Sequence, residues 1–287
     1  MMGAMRERDL EGTSCLITGA NTGIGYAAAR DLAERGARVA IACRSEEKGR
    51  AAARAIRSDT GNDEVDLLVV DLAELSSVRS AAERFQSRGQ PLNVLINNAG
   101  VAGQRGLTRD GFELAFGVNH LAHFLLTHLL LDTLRESAPA RVVNVSSKSH
   151  YSARAIDWNA VTKPTKTFTG LREYGVSKLA NVLHAAELAR RLAGQGVTTY
   201  AVHPGVIASD IWRRIPFPFR NAGKLFMRSN EQGGQALVHC AASPETAEES
   251  GLYYHEGRRQ TPSRAARDPD LAAELWRRSA SFCGVTP

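Results

Sequence analysis

Ser14-Cys-Leu-Ile-Thr18 runs directly into Gly19-Ala-Asn-Thr-Gly23-Ile-Gly25 and then into an alanine-rich stretch that continues to about Arg35. The first segment is short, largely apolar and bounded by a turn signal, which predicts a buried strand; the third has the length and composition of a helix. Glycines between them admit a tight turn and let a diphosphate approach the backbone, while the helix start supplies unpaired N–H donors and a partial positive charge. The spacing is Gly-x-x-x-Gly-x-Gly rather than Gly-x-Gly-x-x-Gly. A glycine-rich turn alone is often structural, but its place between strand and helix, at the head of a repeating pattern, reads as nucleotide binding.

Working outward, apolar and β-branched runs recur near 14–18, 38–42, 65–70, 92–96, 141–145, 197–202 and 251–254, with helix-length segments between them. This alternation predicts one α/β domain: a doubly wound, mainly parallel sheet of seven strands with helices on both faces, a Rossmann fold. The domain is expected to span 1–287, with a core over about 12–254 and a carboxy-terminal extension over 255–287. Two segments, about 148–173 and 208–234, exceed what the core needs and read as lids. Their Tyr151, Trp158, Phe168, Trp212, Phe217 and Phe219 either line a lipophilic pocket or merely pack the lids, with Arg213, Arg214 and Arg220 interleaved in the second. Ligands in such sheets sit at the carboxyl ends of the strands, where each motif below falls.

Composition narrows the function. With 287 residues and 43% hydrophobic content the chain can bury one substantial core. Cys15, Cys43, Cys240 and Cys283 have neither Cys-x-x-Cys spacing nor a paired-loop framework, against a zinc site or a disulfide scaffold and consistent with reduced thiols. No apolar leader and no run long enough to span a membrane stands out, so a soluble, cytoplasmic protein is expected. The net charge of +6 and pI near 9.3 are spread along the chain without a basic tract or an aromatic-basic module, which argues against nucleic acid. His120, His123 and His128 share a predicted helix without a carboxylate-containing ligand spacing, so no metal is expected. Ser147 and His203 lack a Gly-x-Ser-x-Gly elbow, against a hydrolase.

Chemistry is carried by Tyr174-Gly-Val-Ser-Lys178, whose ends lie on one face of a helix. A free phenol titrates near pH ~10, and an ammonium at ~4 Å would favour its phenolate by roughly 4 kcal/mol in a dielectric of ~20, bringing it toward neutrality. At the end of the second strand, Arg38-Val-Ala-Ile-Ala-Cys43-Arg44 has no acid to bind a ribose 2′-hydroxyl; Arg44 instead suits a 2′-phosphate, which favours NADP.

Together Thr18-Gly-Ala-Asn-Thr-Gly-Ile-Gly25, Asp71-Leu72, Asn97-Asn-Ala-Gly100, Asn119, Asn144-Val-Ser-Ser147, Tyr174-x-x-x-Lys178 and Pro204-Gly205 resemble a classical short-chain dehydrogenase/reductase from about Gly12 to Tyr254. Ala42-Cys-Arg44, Val118-Asn-His-Leu121 and Val202-His-Pro-Gly205 are similar to its retinol dehydrogenase-like branch. The resemblance implies an NADP-dependent enzyme interconverting an alcohol with an aldehyde or ketone, with a lipophilic, retinoid-like or steroid-like substrate. A catalytically silent NADP-binding sensor or scaffold would carry the same motifs. By resemblance Ser147, rather than Ser146, holds the substrate oxygen, Tyr174 exchanges the proton and Lys178 holds the nicotinamide ribose. Asn119 positions a water linked to Lys178, or else is a buried polar residue that secures helix geometry. Around the cofactor the resemblance places Gly19, Asn21, Thr22, Gly23, Ile24 and Gly25 at the diphosphate, Asp71 and Leu72 at the adenine, Asn98 with Ala99 and Gly100 at the adenosine ribose. Pro204, Gly205 and Ile207 shape the nicotinamide pocket, with Ser209 near its carboxamide. Relatives often pair through the helices bearing Asn119 and Tyr174, so a homodimer or homotetramer is an expectation.

Overall fold

The computed structural model describes residues 8–205 and 229–287. Ser14–Thr18 (β1) is buried at every position, as a strand covered on both faces requires. Its side chains alternate: Leu16 joins one apolar cluster, whereas Cys15 and Ile17 join the other. Around it lie Arg38–Cys43 (β2), Val65–Val69 (β3), Val94–Asn97 (β4), Ala140–Val145 (β5), Val197–His203 (β6) and Leu252–His255 (β7). The strand order is β3-β2-β1-β4-β5-β6-β7, parallel throughout. The order reverses at β1, and β1 and β4 are neighbours, so the turns after them meet at one crevice.

Among the described residues the expected seven strands become eight. Arg258–Gln260 (β8) returns antiparallel along β7 because Glu256 at φ 55° and Gly257 at φ 78° make a tight left-handed turn. No apolar run marks so short and exposed a strand. The core also runs past its expected end at Tyr254: Ala272, Leu275, Trp276, Ala280 and Cys283 of the last helix are buried in one of the two clusters.

One face of the sheet carries Gly23–Glu34 (α1) and Glu46–Thr60 (α2). The other carries Leu75–Gln86 (α3), Leu114–Phe116 (α4), Ala122–Leu129 (α5), Leu131–Glu136 (α6) and Leu171–Arg191 (α7). Asn230–Ala242 (α8) packs on α1, where a Cβ on Gly234 would sit 2.8 Å from that of Ala27. Pro269–Cys283 (α9) starts under an Asp268 cap and ends at Gly284 in the left-handed region. It lies against α7 and α5 through Trp276, 5.0 Å edge-on to Phe124. Among the described residues no helix is long and apolar enough to cross a membrane.

The first expected lid segment is partly regular structure, and most of the second lies outside the described residues. Residues 148–152 form a short 3₁₀ helix and 171–173 are already α7, while 230–234 open α8. Residues 206–228, with Ile207, Ser209, Trp212, Phe217 and Phe219, lie outside the described residues. In the first segment Phe168 is 88% exposed and Trp158 packs on the core under Arg278, so these aromatics do not converge on one pocket.

Candidate active site

The glycine turn is built to leave a helix start open. Gly19, at φ 68°, returns the chain, and a Cβ there would meet the Ala99 Cα at 2.9 Å. A Cβ on Gly25 would lie 2.4 Å from Asn98 Nδ2 and 2.8 Å from the Gly19 carbonyl oxygen, so nothing larger fits. Thr22 is the N-cap of α1, yet its side chain makes no capping bond and the first turn holds no acid. Among the described residues no side chain accepts from the amide donors at the start of α1, an arrangement that suits a diphosphate.

Thr18 and Asn98 tie this turn to the loop after β4. Thr18 Oγ1 accepts from the amides of Asn98 (2.9 Å) and Ala99 (3.0 Å), and Asn98 Nδ2 donates to the Thr18 carbonyl at 2.7 Å. Asn98 Oδ1 is buried with no hydrogen-bond partner among the described residues, an acceptor left over beside the turn. After β2, Arg44 is exposed and follows the buried Cys43, while Ser45 caps α2 by accepting from the Lys48 amide. Asp71 Oδ1 accepts from the Ala73 amide, closing the turn ahead of α3; Leu72 beside it is buried. These residues fit a dinucleotide whose diphosphate lies on the open start of α1.

At the neighbouring strand ends the two serines diverge. Ser146, 2% exposed, donates its hydroxyl to the Lys178 carbonyl at 2.8 Å. Ser147 is only partly buried; its Oγ accepts from the Ser149 amide at 3.2 Å and interacts with the Tyr174 hydroxyl. The 2.8 Å bond from Lys178 Nζ to the Val145 carbonyl fixes that side chain beneath the pair, 5.6 Å from the centroid of the Tyr174 ring.

The electrostatics correct one expectation. Lys178 does not pull the Tyr174 phenol toward neutrality here: burial pushes the phenol above its ordinary value, and hydrogen bonding to Ser147 only partly opposes this. Lys178 is itself lowered to about 7 by burial, since no carboxylate accompanies it. An ammonium at ~4 Å in a dielectric of ~20 would lower the phenol, but withdrawal from water dominates both groups here.

Asn119 lies in a π-helical stretch, Gly117–Leu121, joining α4 to α5. Its Oδ1 accepts from the Val101 amide (2.8 Å), and its Nδ2 donates to the Val101 carbonyl (3.0 Å) and Ser177 Oγ (2.9 Å). The Asn119 carbonyl accepts from His123 Nδ1 at 3.0 Å, which leaves His123 Nε2 to accept the Thr18 hydroxyl at 2.9 Å. These are the contacts of a residue that secures local geometry. A Cβ on Gly100 would stand 3.1 Å from Asn119 Oδ1 and 3.6 Å from Lys178 Nζ, so that glycine lets the two share a wall.

Pro204 and Gly205 are buried at the end of β6, with Gly205 at φ 100°. His203 before them stacks on His255 at 4.8 Å and is held to about 3 chiefly by burial. Among the described residues no three potential ligands gather to hold a metal. A cavity of about 750 Å³ lies elsewhere, lined by Phe116, Ile156, Val161, Leu171, Arg172 and Val176. At 100° per residue, Arg172 and Val176 project from the side of α7 opposite Tyr174 and Lys178. Thr18 opens the glycine motif but its spacing assigns it no role, and no local pattern marks His150.

The family model for short chain dehydrogenase matches residues 13–216. Retinol dehydrogenase 12 of Mus musculus is 47% identical over 96% of this chain and 88% of its own length. Retinol dehydrogenase 11 of Homo sapiens is 44% identical over 96% of this chain and 87% of its own. A crystal structure of an uncharacterized protein from Mycobacterium paratuberculosis is 33% identical with a TM-score of 0.77, covering 98% of each chain.

Proposed function

Because the chain belongs to the short-chain dehydrogenase family, and is an oxidoreductase acting on CH–OH groups, we propose that it interconverts a lipophilic, retinoid-like alcohol and its carbonyl with NADP. The observation that carries this reading is that Ser146 is committed to the helix backbone while Ser147, at the same strand end, keeps a partly exposed hydroxyl on the side of Tyr174. Two hydroxyls then face one substrate oxygen. Ser147 holds that oxygen, and Tyr174 transfers a proton to or from it. Burial keeps the phenol protonated, the form that donates, which favours carbonyl reduction. A nicotinamide bound at this edge supplies or takes the hydride. Lys178, fixed by the Val145 carbonyl, holds the ribose side of the site. Arg44 engages the 2′-phosphate: among the described residues it has no ion-pair partner and no acid stands at the end of β2. The likeness to proteins named retinol dehydrogenases supports a retinoid-like substrate.

The test is NADPH consumption with all-trans-retinal and with aldehydes and ketones of graded size, with NADH in parallel. Faster turnover of retinal than of small aldehydes, with NADPH preferred at least about tenfold, is the expected outcome. Cofactor binding without turnover of any carbonyl or alcohol would leave a binding protein and overturn the proposal.

A further inference from the structure

His150 links the backbone of Ser147 to the carboxy-terminal segment. The ring is fully buried; its Nδ1 lies 2.7 Å from the Ser147 carbonyl oxygen and its Nε2 lies 3.2 Å from the Ser263 amide nitrogen. A carbonyl oxygen only accepts and an amide N–H only donates, so Nδ1 carries the hydrogen and Nε2 is bare. The two partners thus dictate one neutral tautomer. Tyr151 and Tyr253 close over the ring at centroid distances of 4.0 and 4.8 Å. The Tyr151 hydroxyl donates to the Thr261 carbonyl at 2.7 Å. Two consecutive side chains therefore pin the turn Lys148–Ser152 to residues 261–263, which follow β8.

We propose that His150 is a positioning residue for Ser147, and that the segment Thr261–Ser263 acts on the reaction through it. Ser147 opens the pinned turn and caps it through the Ser149 amide, so the orientation of that turn sets where the Ser147 hydroxyl stands relative to Tyr174. The role rests on the reading of Ser147 as the group that holds the substrate oxygen. Protonation of His150 would set an N–H against the Ser263 N–H and release the link. The groups facing the ring offer an imidazolium little support. Tyr253 on β7 packs on the ring and His203 on β6 interacts with it; Lys148, Lys178 and His255 gather around His203, and Glu256 lies 3.5 Å from His255 Nε2. Burial likewise lowers the affinity of His150 for a proton.

The test compares wild type with His150→Phe, which keeps a ring but neither bond, and His150→Asn, whose amide offers one donor and one acceptor. For NADPH-dependent reduction of all-trans-retinal, His150→Phe should lower kcat by about 10- to 100-fold, the scale of a misplaced catalytic group. KM and the Kd for NADPH should move less than about twofold, since neither reports Ser147 alignment. His150→Asn should recover most of kcat. It should also lack the wild-type decline in kcat on acidification, which begins as the neutral ring is lost on going down in pH. Nitrogen NMR of the wild type at neutral pH should show His150 protonated at Nδ1 only. Parallel loss of kcat, KM and thermal stability in both variants, or a ring protonated at Nε2, would overturn the proposal. Wild-type protein that turns over nothing would overturn the proposed function instead, leaving the tautomer measurement to decide whether His150 makes this link.

Discussion

Helices α1 and α8 start side by side, with Asn230 Oδ1 3.8 Å from where a Cβ on Gly23 would stand, yet the two starts are finished differently. Ser229 closes α8 with a full capping box: its hydroxyl accepts from the Gln232 amide and the Gln232 side chain accepts from the Ser229 amide. Thr22 closes nothing, and α1 has no acid in its first turn. Ser and Thr are chemically similar caps, so the difference lies in the backbone and not in the residue type. A cap at α1 would stabilise the fold and occupy the donors that a diphosphate needs. The stability foregone at one helix start is the local signature of a binding site.

The largest test of this contrast puts a charge at the open helix. Thr22→Asp should stabilise the protein by about 0.3–1 kcal/mol, because a carboxylate complements the positive helix end even where the backbone does not let it cap. It should also weaken NADP and NAD alike, by on the order of 100-fold, because a carboxylate would lie against the diphosphate. Calorimetric titration with both dinucleotides, beside a thermal melt, reads the two effects; unchanged affinity would remove α1 from the site.

A smaller effect separates the two cofactors. Arg44→Asp should erase a preference for NADP of roughly 10- to 100-fold, the equivalent of a charge-assisted contact of about 1.5–3 kcal/mol, and leave NAD affinity nearly intact. Equal affinities in the unmodified protein would sink this assignment. The smallest effect is the reciprocal one. Ser229→Ala should cost about 1 kcal/mol in denaturant unfolding while changing dinucleotide affinity less than twofold, because α8 is closed for structural reasons. If it weakened NADP as much as Thr22→Asp, the contrast between the helices would be wrong.

Much of this was legible in the chain, and its limits have physical causes. The largely apolar β1 and the recurring runs after it mark the sheet, because buried parallel strands leave near-continuous apolar runs. Strand β8 was missed because three exposed polar residues, Arg258–Gln260, have no such run; a turn at Glu256 and Gly257 makes them a strand. The Tyr174 and Lys178 pair was legible as geometry, four residues apart on one helix, but not as electrostatics. Spacing says nothing of how far both groups are withdrawn from water, and burial decides their protonation. The choice of Ser147 came from resemblance. The hydroxyl of Ser146 donating to the Lys178 carbonyl supplies a physical reason that no sequence pattern contains. His150 and Thr18 act through partners more than a hundred residues away, Ser263 and His123, beyond any local motif.

The central claim is that Tyr174 exchanges a proton with a substrate oxygen held by Ser147, and it is tested most directly by turnover of Tyr174→Phe. With NADPH and whichever carbonyl the wild type reduces best, kcat should fall by on the order of 100-fold or more, the scale of general acid catalysis, while the Kd for NADPH stays within about twofold. Near-normal kcat in Tyr174→Phe would contradict the account.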